Sequence, residues 1–246
     1  MPAADTDPPS KGAINRAGRR LAAALIPPED KRAGPETLEF YKHGFRDETD
    51  LLDTAATVRA WRADHAYPLR KVSANLRHYV QDSSDTQVTQ RLKKFGTVIQ
   101  KLRRFDRMDL TQMDDIGGCR VVTRDMDDAR ALFARLGSNW DVRRTRDYVS
   151  QPKPDGYRAL HLVAVRDARF VEIQIRTPLQ DLWANVVERD GRRLGVGLKF
   201  GRGNDRVRED YRRMADLLAA EERGEVPAAE DLGALRDRFD PLGGSG

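Results

Sequence analysis

The chain has 246 residues, 34% of them charged and 39% hydrophobic, with a formal net charge of +5. Its one cysteine, Cys119, excludes an internal disulfide framework and any cysteine-based zinc site. No apolar run is long enough to span a bilayer, and the opening MPAADTDPPSKG lacks an apolar signal core, so a cytoplasmic location is expected. The mild basic excess suits anionic partners such as nucleotides or RNA and by itself decides nothing.

In chain order, residues 1–12 are rich in Pro, Asp and Ala and are expected to be disordered. A first helix is predicted over Arg16–Leu25, stopping before Pro27 and Pro28. From Gly34 to about Leu102 the pattern is helical. Leu38, Tyr41 and Phe45 recur at three and four, as do Leu51, Ala55, Val58 and Arg62, then Leu69, Val72, Leu76 and Tyr79. Pro68 sits where one helix ends and the next begins. The period changes after Asp115. Gly118–Thr123 is predicted as a short buried strand and Met126–Leu136 as an amphipathic helix closed by Gly137. Trp140–Val149 alternates as a strand, Ser150–Gly156 is a Pro/Gly loop, and Leu160–Arg166 and Phe170–Arg176 are strands joined by a tight turn. Pro178 opens a helix through Val187. A glycine-rich basic stretch, Gly191–Gly203, precedes a charged helix over Asp205–Arg223 and a last helix over Ala228–Phe239. The sum is α+β: helical N-terminal and C-terminal parts around a mixed sheet.

Four stretches carry candidate chemistry. In Arg91-x-Lys93-Lys94-x-x-Thr97-x-x-x-Lys101, a helical spacing sets 93, 97 and 101 on one face, where cations need a compensating anion such as a polyphosphate. A solvated basic helix is the plainer alternative. Asp114-Asp115-Ile-Gly-Gly-Cys-Arg120 opens with two carboxylates just before a strand, a usual place for a Mg²⁺ ligand in phosphoryl transfer, or equally a turn signal with helix-capping aspartates. The loop Asp147-Tyr-Val-Ser-Gln-Pro-Lys153-Pro-Asp155-Gly156-Tyr157-Arg158-Ala-Leu-His161 presents an aromatic face beside cations, suited to a base and its phosphates. Tyr157 and His161 are otherwise ordinary packing residues. In Glu172-Ile-Gln174-Ile-Arg176, strand alternation places three polar groups on one face and Val171, Ile173 and Ile175 on the other.

In this order, the four stretches resemble the synthetase domain of the RelA/SpoT family, with the close match over about residues 88–177. The resemblance implies a nucleotidyltransferase-like fold and transfer of the β,γ-pyrophosphate of ATP, as one unit, to a ribose 3′-hydroxyl. The implied acceptors are GDP or GTP, giving the alarmones ppGpp and pppGpp. It further implies that Arg91 stacks on adenine and that Lys93, Thr97 and Lys101 contact the ATP phosphates. Asp115 would hold Mg²⁺. Lys153 and Tyr157 would belong to the acceptor loop, with Tyr157 on the base and His161 helping to hold the acceptor. Glu172 would bind metal or take the proton of the 3′-hydroxyl, with Gln174 and Arg176 orienting it.

The chain contains no His-Asp dipeptide, so the family's hydrolase domain is not expected. The expected organisation is a disordered 1–12, a synthetase domain with its N-terminal helices over 13–203, charged helices over 204–240 and a tail over 241–246. Two departures from the family pattern stand out. Asp155 replaces the usual Asn of the acceptor loop. The segment from Trp183 to Gly203 resembles the toxic small alarmone synthetases of toxin–antitoxin and phage-defence systems, several of which pyrophosphorylate the 3′-CCA end of tRNA. Arg192, Arg193, Lys199 and Arg202 would suit tRNA. The alternative acceptor is therefore a tRNA 3′ end, with an antitoxin protein as a candidate partner. An alternative of another class is a non-catalytic RNA-binding module of the same fold. Neither membrane nor DNA is expected as a partner.

Overall fold

The first helix begins earlier than its apolar pattern suggests, because Ser10 caps it. The Ser10 hydroxyl accepts from the backbone N–H of Ala13 at 3.2 Å, and α1 runs over Lys11–Ala24. The structure, a computed structural model, describes residues 8–25, 40, 44–83, 85–193 and 205–226. The expectations for Leu38 and Tyr41, for Lys199 and Arg202 and for the last helix fall outside these residues, as does the side chain of Arg192.

The remaining elements follow in order: α2 over Glu48–Ala63, α3 over Ala66–Tyr79, β1 over Gln87–Leu92, α4 over Phe95–Arg104, β2 over Gly117–Val122 and α5 over Met126–Asn139. Then come β3 over Val142–Asp147, β4 over Leu160–Arg166, β5 over Arg169–Arg176, α6 over Pro178–Arg193 and α7 over Asp205–Glu222. A short 3-10 turn occupies Leu110–Gln112. Aspartates cap two more helices: Asp47 accepts from Asp50 N–H at 2.8 Å and Asp125 from Asp128 N–H at 2.9 Å.

The strands form one five-stranded mixed sheet in the order β1-β2-β5-β4-β3, so the fold is α+β. β4 and β5 are a hairpin closed by Asp167 and Ala168, at φ 49° and 56°, the left-handed pair that a two-residue turn between twisted strands demands.

Further expectations are corrected. The segment from Gln87 to Leu92 is a strand, since Val88 and Thr89 favour extended backbone and the helical pattern stops at Tyr79. Gly137 does not close α5, which runs through it to Asn139. α6 continues past Val187 to Arg193.

The chain divides into two compact units. The first comprises Met1–Leu76, Gln90–Cys119 and Val163–Glu172; the second comprises Arg77–Thr89, Arg120–Leu162 and Ile173–Gly246. The first unit has a core of α1, α2 and α4, with Leu21, Val58, Val98, Ile99, Leu102 and Met113 buried together. Its Gly117 faces Leu69 of α3 and Val171 of β5 at 3.6 and 3.7 Å from where a Cβ would stand. In the second unit, α6 and α7 bury Trp183, Val187, Tyr211 and Ala215 against one another, with Tyr157 packed on the cluster.

Candidate active site

The first unit carries the residues expected at ATP. Arg91 lies exposed on β1 and Lys93 precedes α4, so the single helical face expected for 93, 97 and 101 does not exist. Lys93 instead occupies the connection from β1 to α4, and its backbone is held on both sides. Its N–H donates to the carbonyl of Ile116 at 2.8 Å, and its own carbonyl accepts from Nε of Arg62 at 2.6 Å. Thr97 and Lys101 are one turn apart on α4 and so share a face. No side chain caps the N-terminus of α4, where backbone N–H groups and the helix dipole favour an anion.

The two lysines converge on one carboxylate. Nζ of Lys93 donates to Oδ2 of Asp115, and Nζ of Lys101 to Oδ1, both at 2.8 Å. The three side chains are 11%, 25% and 20% exposed, so the pairs are only weakly screened by solvent. Burial pushes the Asp115 carboxyl up, but the charges and hydrogen bonds of Lys93 and Lys101 outweigh it and hold the group below the usual carboxylate range. Glu172 is half-buried on β5, and its backbone carbonyl lies beside Gly118 of β2, three positions after Asp115.

Magnesium fits this donor set chemically. Among the described residues no three acidic, histidine or cysteine groups form a ready cage. Mg²⁺ needs none: it is held by one or two carboxylates together with substrate phosphates and water, and Asp115 and Glu172 would be the hard oxygen donors to hold it.

The second unit carries the residues expected at the acceptor, and the structure joins them. Asp147 starts the loop by accepting from the N–H groups of Val149 and Ser150 at 2.9 and 2.8 Å. Asp155 accepts from the N–H of Tyr157 at 3.1 Å, so it forms the turn. The phenol oxygen of Tyr157 lies 2.7 Å from Nε2 of His161 and accepts from Arg176 at 3.0 Å. Arg176 also donates to Gln174 Oε1 at 2.8 Å. Nζ of Lys153 stands 4.6 Å from the ring centroids of both Tyr148 and Tyr157, a cation between two aromatic faces. Tyr148 and Tyr157 each meet His161 edge-on.

On β5, Val171, Ile173 and Ile175 are buried while Glu172 and Gln174 are half-buried, as alternation requires. Arg176 departs from it, being 4% exposed. Asp181, in the first turn of α6, explains this burial. It accepts from Arg176 at 2.9 Å, lies 3.1 Å from the guanidinium of Arg120 and accepts from Asn185 at 2.9 Å. A buried guanidinium needs such a partner.

The sequence assigns no role in a site to Arg62, Tyr148 or Asp181. Asp181 had a signal, because it lies five positions after Arg176 where Pro178 opens a helix. Arg62 had none, since its partner is a backbone carbonyl far away in the chain.

The family model described as "Region found in RelA / SpoT proteins" matches residues 90–190. An uncharacterised protein of Mycobacterium tuberculosis is 31% identical over 237 residues, covering 94% of this chain and 72% of that protein. The chain belongs to the RelA/SpoT family, and with it to the pyrophosphokinases. The GTP pyrophosphokinase YjbM of Bacillus subtilis is 33% identical over 126 residues, covering 45% of this chain and 59% of that protein. The fold is that of small alarmone synthetase 2 from Bacillus subtilis, with TM-score 0.56 at 21% identity, covering 73% of this chain and 98% of that one. Small alarmone synthetase 1 of the same organism, bound to its product pppGpp, has TM-score 0.55 at 23% identity over 73% and 98% of the two chains.

Proposed function

We propose that the protein transfers the β,γ-pyrophosphate of ATP to the ribose 3′-hydroxyl of GDP or GTP. The observation that carries this is the Lys93–Asp115–Lys101 triad, two ammonium groups around one carboxylate at the start of a strand. In the first unit, Lys93, Lys101, Thr97 and the start of α4 would bind the triphosphate, while Arg91 takes the adenine. A bound Mg²⁺, held by Asp115 and Glu172, would neutralise charge on the phosphate oxygens. In the transfer the 3′-oxygen bonds to the β-phosphorus and the bond from that phosphorus to the α,β-bridging oxygen breaks, releasing AMP. The hydroxyl proton passes to Glu172, a carboxylate acting as general base.

In the second unit, the Tyr157 ring would take the acceptor base, with Lys153 on its phosphates. Tyr157, His161, Gln174 and Arg176 are hydrogen-bonded into one network. A prearranged acceptor site of this kind reduces the ordering that binding must offset.

A tRNA 3′ end is the second reading of the acceptor, favoured by one feature. β3 is an edge strand whose Arg143, Arg144, Thr145 and Arg146 are all exposed, and it leads directly into the acceptor loop. Cationic side chains along such a strand suit the backbone of a polynucleotide. An antitoxin would belong with this second reading.

Incubation with γ-labelled ATP, Mg²⁺ and GDP, GTP or bulk tRNA tests the proposal. Label in a guanine nucleotide is expected. Label only in tRNA selects the second reading, and no label in any acceptor refutes both.

A further inference from the structure

Helix α7 reaches both ends of the acceptor machinery in the second unit. At the loop, Gly156 has φ +90°, and a Cβ built there would stand 2.7 Å from Cβ of Ala215 and 3.1 Å from Cα of Arg212. Only a glycine fits this conformation and this closeness together. The neighbouring Arg158, with 15% of its side chain exposed, donates to the Gly156 carbonyl at 3.1 Å and to Asp216 of α7 at 2.8 Å.

At the far end of the helix, Glu222 accepts from the hydroxyl of Thr177, the residue after Arg176, and from Gln180 at 3.1 Å. Just before the loop contacts, Nε1 of Trp183 donates to the carbonyl of Tyr211 at 2.8 Å, and the Tyr211 hydroxyl donates to Asp190 at 2.8 Å. These contacts reach beyond what seating α7 on α6 would need. Gly156 and Arg158 flank Tyr157, and Thr177 follows Arg176, so α7 grips the chain immediately beside two residues of the proposed acceptor site.

We propose that α7 is a strap that sets acceptor affinity, with Asp216 and Glu222 as its positioning residues. This rests on the acceptor reading of Tyr157 and Arg176. The strap holds the loop in its binding shape before the acceptor arrives, so the ordering cost falls on folding rather than on binding.

The test uses the full chain carrying Asp216→Ala, Glu222→Ala or both, with Asp216→Asn and Glu222→Gln as conservative controls. The acceptor KM is expected to rise about two- to threefold for Asp216→Ala, whose pair is partly open to solvent, and about fivefold for Glu222→Ala. The double variant should reach roughly tenfold with kcat and the KM for ATP unchanged, and the conservative variants should restore most of the loss. Amide hydrogen exchange over residues 152–158 should quicken in the alanine variants while that of α4 stays constant. Equal rises in both KM values, or an unchanged acceptor KM, overturn the proposal. So does unchanged exchange in the loop, a readout that decides the matter even if the wild-type protein labels no acceptor and the reading of function fails instead.

Discussion

Nζ of Lys93 donates to Oδ2 of Asp115 at 2.8 Å, and the backbone of Lys93 is tied at both its N–H and its carbonyl. The lysine is therefore aimed, since its main chain cannot turn away. With Lys101 on the other oxygen, the carboxylate and the ammonium groups compensate one another's charge.

Asp115→Asn removes the charge between the two lysines and keeps the shape. Pyrophosphate transfer should fall by at least about a hundredfold, a loss typical of a catalytic electrostatic group. Glu172→Gln should lose transfer to a similar degree and still bind ATP. Single-turnover assays with γ-labelled ATP, beside equilibrium binding of ATP, check both. Near-normal transfer in either variant refutes the assigned role.

Tyr157→Ala and Tyr157→Phe separate the ring from the hydroxyl. The phenylalanine keeps the aromatic face and loses the bonds to His161 and Arg176. A several-fold rise in acceptor KM is expected for Phe and one of about tenfold or more for Ala, where stacking of about 1–3 kcal/mol goes too. ATP affinity should not change in either. Acceptor kinetics at saturating ATP decide this, and an unchanged KM in the alanine variant excludes stacking.

Asp181→Ala leaves two guanidinium groups, Arg120 and Arg176, without the carboxylate between them. Removing one side of a buried pair costs about 3 kcal/mol, which lowers Tm by roughly 6–12 °C in a domain of this size. Asp181→Asn keeps an acceptor oxygen and should cost less. Thermal unfolding of both variants, with acceptor KM measured beside it, tests whether Asp181 positions Arg176.

His65 gives stability a pH dependence. It is 1% exposed, and burial lowers it from the ordinary 6.5 to about 4, against the raising effect of the Trp61 carbonyl that it bonds at 2.9 Å. Between these values the unfolded chain binds a proton that the folded chain refuses. Its contribution is therefore present above about pH 6.5 and is lost as the pH falls towards 4. Tm measured from pH 4.5 to 7.5 should show this slope, and His65→Phe should flatten it. An identical slope in the variant disproves the assignment.

The sequence by itself determined what depends on neighbours in the chain. Alternation along β5 sorted Val171, Ile173 and Ile175 from Glu172 and Gln174, and Pro178 marked a helix start. The four motifs in their order identified the family, since residue type and spacing are properties of the chain. Tertiary structure decided what depends on contacts between distant segments. The Lys93–Asp115 pair spans 22 positions, Arg62 reaches Lys93 across 31, and Arg158 finds Asp216 across 58. The strand at Gln87–Leu92 belongs here as well. A short exposed edge strand has little periodicity of its own, and pairing with β2 makes it one. A charged helix at the far end of the chain looks like a solvated appendage in one dimension. In the fold it buries one stripe, Tyr211, Ala215 and Ala219, while Asp216 reaches Arg158 beside Gly156 and Tyr157, and Glu222 reaches Thr177 and Gln180.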